Sequence, residues 1–317
     1  MIYLVLNAVI PSLIILALAI IAGKRKIADN ININALSVFV VKYAIPAELF
    51  LYSWGTKISD FAHDIPFIIM ISIGMIAVWF IGYFISKKIL KQTPSQASMY
   101  ALTLALPNVA AFSYPVLNGL FGKSIQVDLY AAIAIIMTVL VTPPLTLAVL
   151  EKENVKKYKS KNLLSLTVPL SFKVFRNPII LWPILGLILS ALHIKEPQIA
   201  IHTLTPLGDA ATGSAIFLTG LVVSARKFRI TKGVILAFLT KNLGQSAIIL
   251  AIGFLFHFPM QEIIYATLIG TLATGFFGVM LGKYYGVDNP EAESSLLFST
   301  IFFGIATIIY IYILGVH

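Results

Sequence analysis

The sequence contains no cysteine, and charged residues make up only 11% of its 317 residues. The absence of cysteine excludes disulfide bonds, thiolate nucleophiles and cysteine-ligated metal sites. Hydrophobic residues reach 59% and the mean hydropathy is +0.93, whereas a soluble domain has about 45–50% apolar and about 25% charged residues. Because such a chain cannot cover itself with a polar surface, we expect an integral membrane protein and neither a soluble enzyme nor a nucleic-acid-binding protein.

Motifs for ATP use and for metal-dependent hydrolysis are also missing. The sequence has no Gly-x-x-x-x-Gly-Lys-Ser/Thr loop and no His-Glu-x-x-His pair, which cradle nucleotide phosphates and catalytic zinc respectively. An aspartyl intramembrane protease would need a second membrane Asp beside Asp209 to share a proton, and only Glu48 is available deep in a span. We therefore expect a protein that is not an enzyme and that holds no metal.

Ten apolar runs have the length of about 20 residues that a helix needs to cross a bilayer. They are continuous and lack the two-residue alternation of a membrane β-barrel. The sequence thus predicts an all-α membrane protein with ten transmembrane helices, which we call spans one to ten, at 3–22, 33–53, 65–86, 97–119, 129–150, 178–194, 200–224, 234–256, 262–282 and 292–314.

Basic residues are distributed unequally among the loops between the spans. Odd-numbered loops hold 18 of the 23 Lys and Arg residues and even-numbered loops hold three. Because basic loops stay on the cytoplasmic side, the bias predicts a multi-pass protein of the plasma (inner) membrane with both termini on the outer side. The longest odd loop, 151–177, is interpreted as a basic cytoplasmic linker, with anionic lipid or a partner as an alternative contact.

Weak internal similarity suggests two inverted five-helix repeats, 1–150 and 178–317. Residues 100–112 resemble residues 265–277 at an offset of 165, and Phe50-Leu51 matches Phe217-Leu218 at an offset of 167. Two repeats of five spans have opposite orientations because five is odd. Inverted repeats are typical of secondary transporters, since two mirrored halves can expose one central site to either side in turn.

Spans four and nine contain the residues that we predict to interrupt helices and bind substrate. Pro107 removes a backbone donor near mid-membrane, and a new half-helix beginning at Asn108 would present free amides and a positive dipole end to an anion. A simple proline kink is the alternative. In span nine, Gly275 and Gly278 permit either unwinding or close helix packing. The predicted substrate-binding residues here are Pro107, Asn108, Val109, Ala110, Thr274, Gly275 and Phe276.

Four charged residues lie within spans, where charge is costly and faces the protein interior or water. The offset of 167 relates Lys42 to Asp209, so we hypothesise that these two lie close together, either as scaffold neutralisation or as coupling charges. For Glu48 we consider three alternative roles: carrying a proton, binding a cation, or lining a wet crevice. Lys241 shares a helix face with Gln245 by i, i+4 spacing, and we predict both as substrate-binding residues. The alternative for Lys241 is that it extends to the cytoplasmic surface.

Several stretches together resemble the auxin efflux carrier family of bile-acid-, arsenite- and riboflavin-type transporters, and within it the bacterial malonate permeases. The resemblance covers nearly the whole chain. It is carried by Leu102–Asn108 with Pro115, by 206–212, by 217–227, and by 275–278 with 285–293. One departure is Leu272, where many relatives have proline in span nine.

This resemblance implies a fold and a function. Spans 1, 2, 6 and 7 would form a scaffold, which the resemblance implies is dimeric, and spans 3–5 and 8–10 a transport domain in which broken helices 4 and 9 cross. We therefore expect a homodimeric secondary transporter of a small organic carboxylate, malonate or a similar dicarboxylate, working by alternating access in contact with membrane lipid. No cofactor is expected beyond a coupling ion, H⁺ or Na⁺. The alternatives are a carrier of another organic anion (malate, auxin-like or bile-acid-like), a channel or receptor, and an intramembrane enzyme.

Overall fold

The computed structural model describes residues 2–27, 30–55, 64–122, 124–157, 178–224 and 229–316. Across these residues the regular secondary structure is helical, and pairing of extended backbone is limited to one isolated bridge between Pro107 and Thr274. The predicted all-α class is therefore confirmed for the described part of the chain.

The described residues form eight α-helices in the first half of the chain and seven in the second. The first eight are α1 (Ile2–Lys24), α2 (Asn30–Phe39), α3 (Ile45–Gly55), α4 (Ile65–Phe84), α5 (Pro94–Ala105), α6 (Val109–Phe121), α7 (Ile125–Leu140) and α8 (Thr142–Lys157). The other seven are α9 (Pro178–Ala191), α10 (Gln198–Ser224), α11 (Lys232–Phe238), α12 (Gln245–Leu255), α13 (Met260–Thr271), α14 (Phe277–Tyr285) and α15 (Pro290–Leu314). Three π-helical turns occur at Val40–Ala44, Ile85–Ile89 and Leu239–Gly244.

Local sequence explains several helix ends. Thr93 and Gln96 form a reciprocal capping box at the start of α5, with proline at the first helical position, which satisfies two otherwise unpaired amides. Asn289 caps α15 in the same region by accepting from the amide of Ala292. Gly315 ends α15 with a φ of 64°, a left-handed conformation that glycine adopts without steric cost.

Five helical stretches in the described residues are long and apolar enough to cross a membrane: Ile33–Gly55, Ile65–Ile89, Leu129–Glu153, Lys232–Leu255 and Pro290–Leu314. Two shorter apolar stretches are Leu13–Lys24 and Leu181–Ala191. The predicted runs 97–119 and 262–282 are each divided between two helices, so neither contains one long helix. Several apolar helices of spanning length indicate a multi-pass membrane protein.

One face of α4 carries exposed apolar side chains. Ile69, Ile73, Ile76 and Phe80 are exposed and recur at helical spacing along this face. A soluble protein would not leave such a continuous apolar stripe in water. In a bilayer the same stripe faces the acyl chains.

Glycines allow α1, α3, α9 and α10 to pack at very short distances. A Cβ atom built on Gly186 of α9 would lie 2.7 Å from the carbonyl oxygen of Phe50 in α3, and one on Gly208 of α10 would lie 3.1 Å from the Cα of Glu48. Gly220 brings α10 equally close to α1. Small residues at such contacts are typical of helix packing in membranes. These four helices belong to predicted spans one, two, six and seven.

The basic linker predicted at 151–177 is described only in part. Residues 151–157 complete α8, and 158–177 lie outside the described residues. The division into two repeats joined by this linker, like its placement on the cytoplasmic side, stays a prediction.

Candidate functional site

The chain leaves the helical conformation between α5 and α6. The last residue of α5 is Ala105, and Leu106 is extended with φ −89° and ψ 114°. This conformation follows from Pro107, because a residue before proline is pushed out of the α region and proline itself lacks an amide donor. Helix α6 begins at Val109, with Asn108 as its N-cap residue.

A second non-helical segment separates α13 from α14. Helix α13 ends at Thr271, Leu272 is extended with ψ 158°, and α14 begins at Phe277. Although this segment contains no proline, Gly275 approaches the first segment so closely that a Cβ built on it would lie 3.2 Å from the Cβ of Leu106. A side chain at this position would push the two segments apart.

The two non-helical segments bind each other through their backbones. The amide of Asn108 donates to the carbonyl of Ala273 at 2.8 Å, and the amide of Gly275 donates to the carbonyl of Leu106 at 2.5 Å. Between these bonds Pro107 and Thr274 form the antiparallel bridge. We call this paired region, residues 106–108 and 273–275, the crossing. The amide of Thr274 donates to the Ser299 hydroxyl at 3.0 Å.

Side chains from the π-helical turn Leu239–Gly244 and the start of α12 hold the carbonyl ends of both helices that enter the crossing. Lys241 donates from Nζ to the carbonyl of Gly270 at 2.7 Å. Gln245 donates from Nε2 to the carbonyl of Ala105 at 2.9 Å. Both side chains are fully buried. The structure therefore places these two predicted substrate-binding residues behind the crossing, against helix ends.

The start of α6, after the first non-helical segment, carries amide groups without an intrahelical acceptor. The first intrahelical bond of α6 runs from the amide of Phe112 to the carbonyl of Asn108 at 3.2 Å. By helix geometry, the amides of residues 109–111 have no intrahelical acceptor, and they carry the positive end of the helix dipole. The Asn108 side chain forms no capping hydrogen bond at this helix start.

A cavity of ≈ 70 Å³ lies against the crossing, between α3, α7 and the start of α14. Since one water needs about 10–15 Å³, this cavity admits a molecule of several heavy atoms. The residues that line it include five that we predicted as substrate-binding, namely Pro107, Asn108, Val109, Gly275 and Phe276. Thr274 is buried at 1% exposure, and the side chain of Ala110 lies outside the described part of the structure.

A smaller cavity of ≈ 20 Å³ lies on another side of Asn108, bounded by residues of α1, α10 and α15. Asn108 and Phe276 line both cavities. These two side chains therefore stand between the larger and the smaller space.

The charged residues predicted within spans occupy different surroundings. Glu48 lines the larger cavity, whereas Lys42 and Asp209 lie on exposed faces of the turn Val40–Ala44 and of α10. Helix α10 packs against both this turn and α3, so Lys42 and Asp209 lie on neighbouring elements. Their pairing stays a prediction.

A comparison with sequence models of protein families identifies the family of this chain. The sequence model of the family described as "Membrane transport protein" matches residues 4–311. The chain belongs to this family. It is the auxin efflux carrier family that the sequence motifs resemble, and it is a family of membrane transporters.

Similar proteins match different shares of the chain. The "Uncharacterized transporter YfdV" of Escherichia coli K12 is 23% identical over 304 residues, 96% of either chain, and the protein of the same name in Shigella flexneri matches equally. The "Lysosomal cholesterol signaling protein" of Mus musculus is 25% identical over 219 residues, 67% of this chain and 25% of the mouse protein.

Sequence reasoning missed part of the site of this membrane transport protein. Ile135, Thr138 and Val139 of α7 line the larger cavity, although α7 carries no interruption and no membrane charge there. Only the packing of α7 beside the crossing brings them in, so no sequence signal marks them. Glu48, for which the sequence suggests the lining of a wet crevice as one alternative, also lines this cavity.

Another, wider groove of ≈ 730 Å³ lies where the end of α3 meets the connection between α9 and α10. It is lined by residues such as Trp54, His193 and Glu196. Among the described residues that line this groove, none belongs to the crossing. We therefore take the cavity at the crossing as the candidate site.

Proposed function

We propose that this family member is a secondary active transporter of a small organic carboxylate anion, malonate or a similar dicarboxylate, which binds at the crossing. The observation that carries the proposal is that Asn108, at the start of an interrupted helix, lines a cavity beside the paired segments. In transporters with discontinuous helices, the amino end of a half-helix binds anionic groups of the substrate.

Recognition of the anion would use peptide groups together with the Asn108 amide. The amides at the start of α6 and the dipole of that helix favour negative charge. The Asn108 side chain adds a donor at the same place. A dicarboxylate has two anionic groups, and α14 begins on the other strand of the crossing with a second set of helix-terminal amides.

The relation between the two cavities supports alternating access. Leu49 lines the larger cavity and Ile216 the smaller, 167 residues apart. Phe277 lines the larger cavity and Phe112 the smaller, at an offset of 165. These are the offsets of the internal repeat. The pattern supports two inverted five-helix repeats in a ten-span protein, whose two cavities open in turn to opposite sides of the membrane.

The close packing of α1, α3, α9 and α10 supports their role as a static scaffold. Glycine contacts such as that of Gly186 with α3 leave little freedom for relative motion of these helices. The helices on either side of the crossing would then move against the scaffold as the transport domain. We also propose that the scaffold forms a homodimer and that both termini face outward from the plasma (inner) membrane, as the basic loops predict.

Glu48 is the proposed carrier of a coupling proton. Its position on α3 makes Glu48 a lining residue of the cavity that would hold the anion, where a carboxylate would repel the substrate and a protonated carboxyl group would not. The charged residues and histidines on the elements around it are Lys42 on the preceding turn, His202 and Asp209 on α10, and Asp128 in the sequence of α7. The tyrosines on the same elements are Tyr43, Tyr52 and Tyr130. Helix α9 contains none.

Uptake by purified protein in liposomes tests the proposal. Labelled malonate is supplied outside, and pH and Na⁺ gradients are imposed separately. We expect saturable uptake that unlabelled malonate inside accelerates by counterflow, because a carrier exchanges substrate across one site. Flux that does not saturate and shows no counterflow would indicate a channel, and absence of uptake for malonate, succinate and malate alike would overturn the dicarboxylate assignment.

A further inference from the structure

The carbonyl end of α13 is fully occupied by hydrogen-bond donors. The last four carbonyls of this helix belong to Leu268, Ile269, Gly270 and Thr271. The first accepts from the Thr271 hydroxyl at 2.7 Å and the second from the amide of Leu272 at 3.2 Å. Every one of the four therefore has a partner once Lys241 and its neighbour are considered.

Lys241 and Asn242 supply the two remaining donors. Lys241 Nζ lies 2.7 Å from the Gly270 carbonyl oxygen, and Asn242 Nδ2 lies 2.9 Å from that of Thr271. The same amide nitrogen lies 3.3 Å from the carbonyl oxygen of Leu272. Asn242 is fixed in turn by the Ser299 hydroxyl, which donates to its Oδ1 at 2.8 Å.

The carbonyl side of the first interruption also accepts hydrogen bonds. Gln245 donates to the carbonyl of Ala105, the last residue of α5. The next carbonyl, of Leu106, accepts from Gly275 across the crossing. One short stretch of chain, from Lys241 to Gln245, thus serves both interrupted helices, and all three of its polar side chains are fully buried.

Carbonyls in equivalent positions bind a coupling cation in other transporters. Where a membrane helix is broken, unwound carbonyls and the carboxyl ends of half-helices coordinate Na⁺. Here each of the last four carbonyl oxygens of α13 accepts a hydrogen bond from an N–H or O–H donor of the protein. An amino group donates whether it is charged or neutral, so the occupation by Lys241 does not depend on its protonation state.

We infer that Lys241, Asn242 and Gln245 stand in the place of a coupling Na⁺, and that transport by this protein is independent of Na⁺. The inference rests on the proposed function and names its energy source, because H⁺ or the gradient of the substrate itself remains to drive transport. It assigns Lys241 a structural role at the helix end and no contact with the substrate.

Thermal unfolding of the purified protein tests the inference without any need for transport. The apparent Tm is measured in NaCl and in choline chloride at equal ionic strength and pH. A specific ion present at about 100 times its Kd would raise the Tm by roughly 5 °C. We expect the same Tm in both salts. A rise specific to Na⁺ would mean that buried oxygens such as Gln245 Oε1, which has no partner among the described residues, accept the ion, and it would overturn the inference.

Uptake of labelled malonate into proteoliposomes supplies the second measurement. With pH held equal on both sides, an inward Na⁺ gradient is compared with an inward choline gradient, and we expect equal initial rates. A Na⁺-dependent rate would overturn the inference and leave the proposed function standing. Absence of uptake in either salt would overturn the proposed function, and the Tm comparison would still decide the question of Na⁺.

Two matched variants test the role given to Lys241. Lys241→Met keeps much of the side-chain volume and removes the donor to Gly270, whereas Lys232→Met makes the same change at an exposed position of α11. We expect the first variant, and not the second, to lower the Tm in both salts. An unchanged Tm for Lys241→Met would contradict its role as a helix-end donor.

Discussion

The backbone amide of Asn108 donates to the carbonyl of Ala273 at 2.8 Å. This bond joins the start of α6 to the segment that follows α13. The same residue lines the cavity. The peptide group of Asn108 therefore maintains the geometry of the crossing, and this bond does not engage its side chain.

Asn108→Ala should leave the fold intact and lower the initial rate of malonate uptake about 10- to 100-fold, since a hydrogen bond to a charged group contributes about 1.5–3 kcal/mol. The backbone bond to Ala273 does not involve the side chain, so the Tm should change little. Initial rates in proteoliposomes measure the effect. Asn34→Ala, the same change at an exposed position of α2, is the control, and normal uptake by the Asn108 variant would remove this residue from the site.

Glu48→Gln should abolish the acceleration of uptake by an acid-outside pH gradient. Glutamine resembles a protonated carboxyl group and cannot release a proton, so exchange of labelled for unlabelled malonate at equal pH should continue. Comparing gradient-driven uptake with exchange separates the two effects. Glu196→Gln, in the connection between α9 and α10, should keep the response to the gradient. If the Glu48 variant kept it as well, another group would carry the proton.

Gly278→Ala should destabilise the protein by about 1–3 kcal/mol through overpacking. A Cβ built on Gly278 would lie 2.7 Å from the backbone nitrogen of Thr103 in α5 and 3.0 Å from the carbonyl oxygen of Met99. Gly213→Ala makes the same change in α10, where a Cβ meets nothing within 4 Å, and should be neutral or slightly stabilising because alanine favours helix. Thermal unfolding of both variants would reveal the difference, and equal Tm values would contradict the close contact of α14 with α5.

Lys42→Asp should impair uptake if Lys42 and Asp209 neutralise each other, because it places two like charges on neighbouring elements. Adding Asp209→Lys should then restore much of the rate. The double-mutant cycle measures the coupling between the two sites. Failure of the second substitution to rescue the first would dispose of the pairing hypothesis.

Sequence patterns anticipate those features that depend on neighbouring residues. Pro107 dictates an extended Leu106 through local sterics, and a reader of the sequence can place a helix end there. The run of apolar residues in α4 likewise predicts a helix of spanning length, which the structure contains. In both cases the decisive interactions lie within a few residues of each other.

Features that depend on contacts between residues far apart in the sequence cannot be predicted from local patterns. The spacing of Lys241 and Gln245 correctly puts them on one side of a helix, but only tertiary packing turns that side toward the ends of α5 and α13. For the same reason Thr138 gives no sign that it borders the cavity. The resemblance to carriers cannot resolve such positions, because it identifies the family and not the direction of an individual side chain.

The two hydrogen bonds that join the segments of the crossing run between peptide groups, so they do not use the side chains of Val109 and Phe276. Val109 and Phe276 can therefore be exchanged for other residues without dismantling the intersection of the two segments. A transporter built in this way is open to re-engineering. A library of substitutions confined to these two positions and Thr138 would change the substrate preference while the backbone pairing of the crossing is retained.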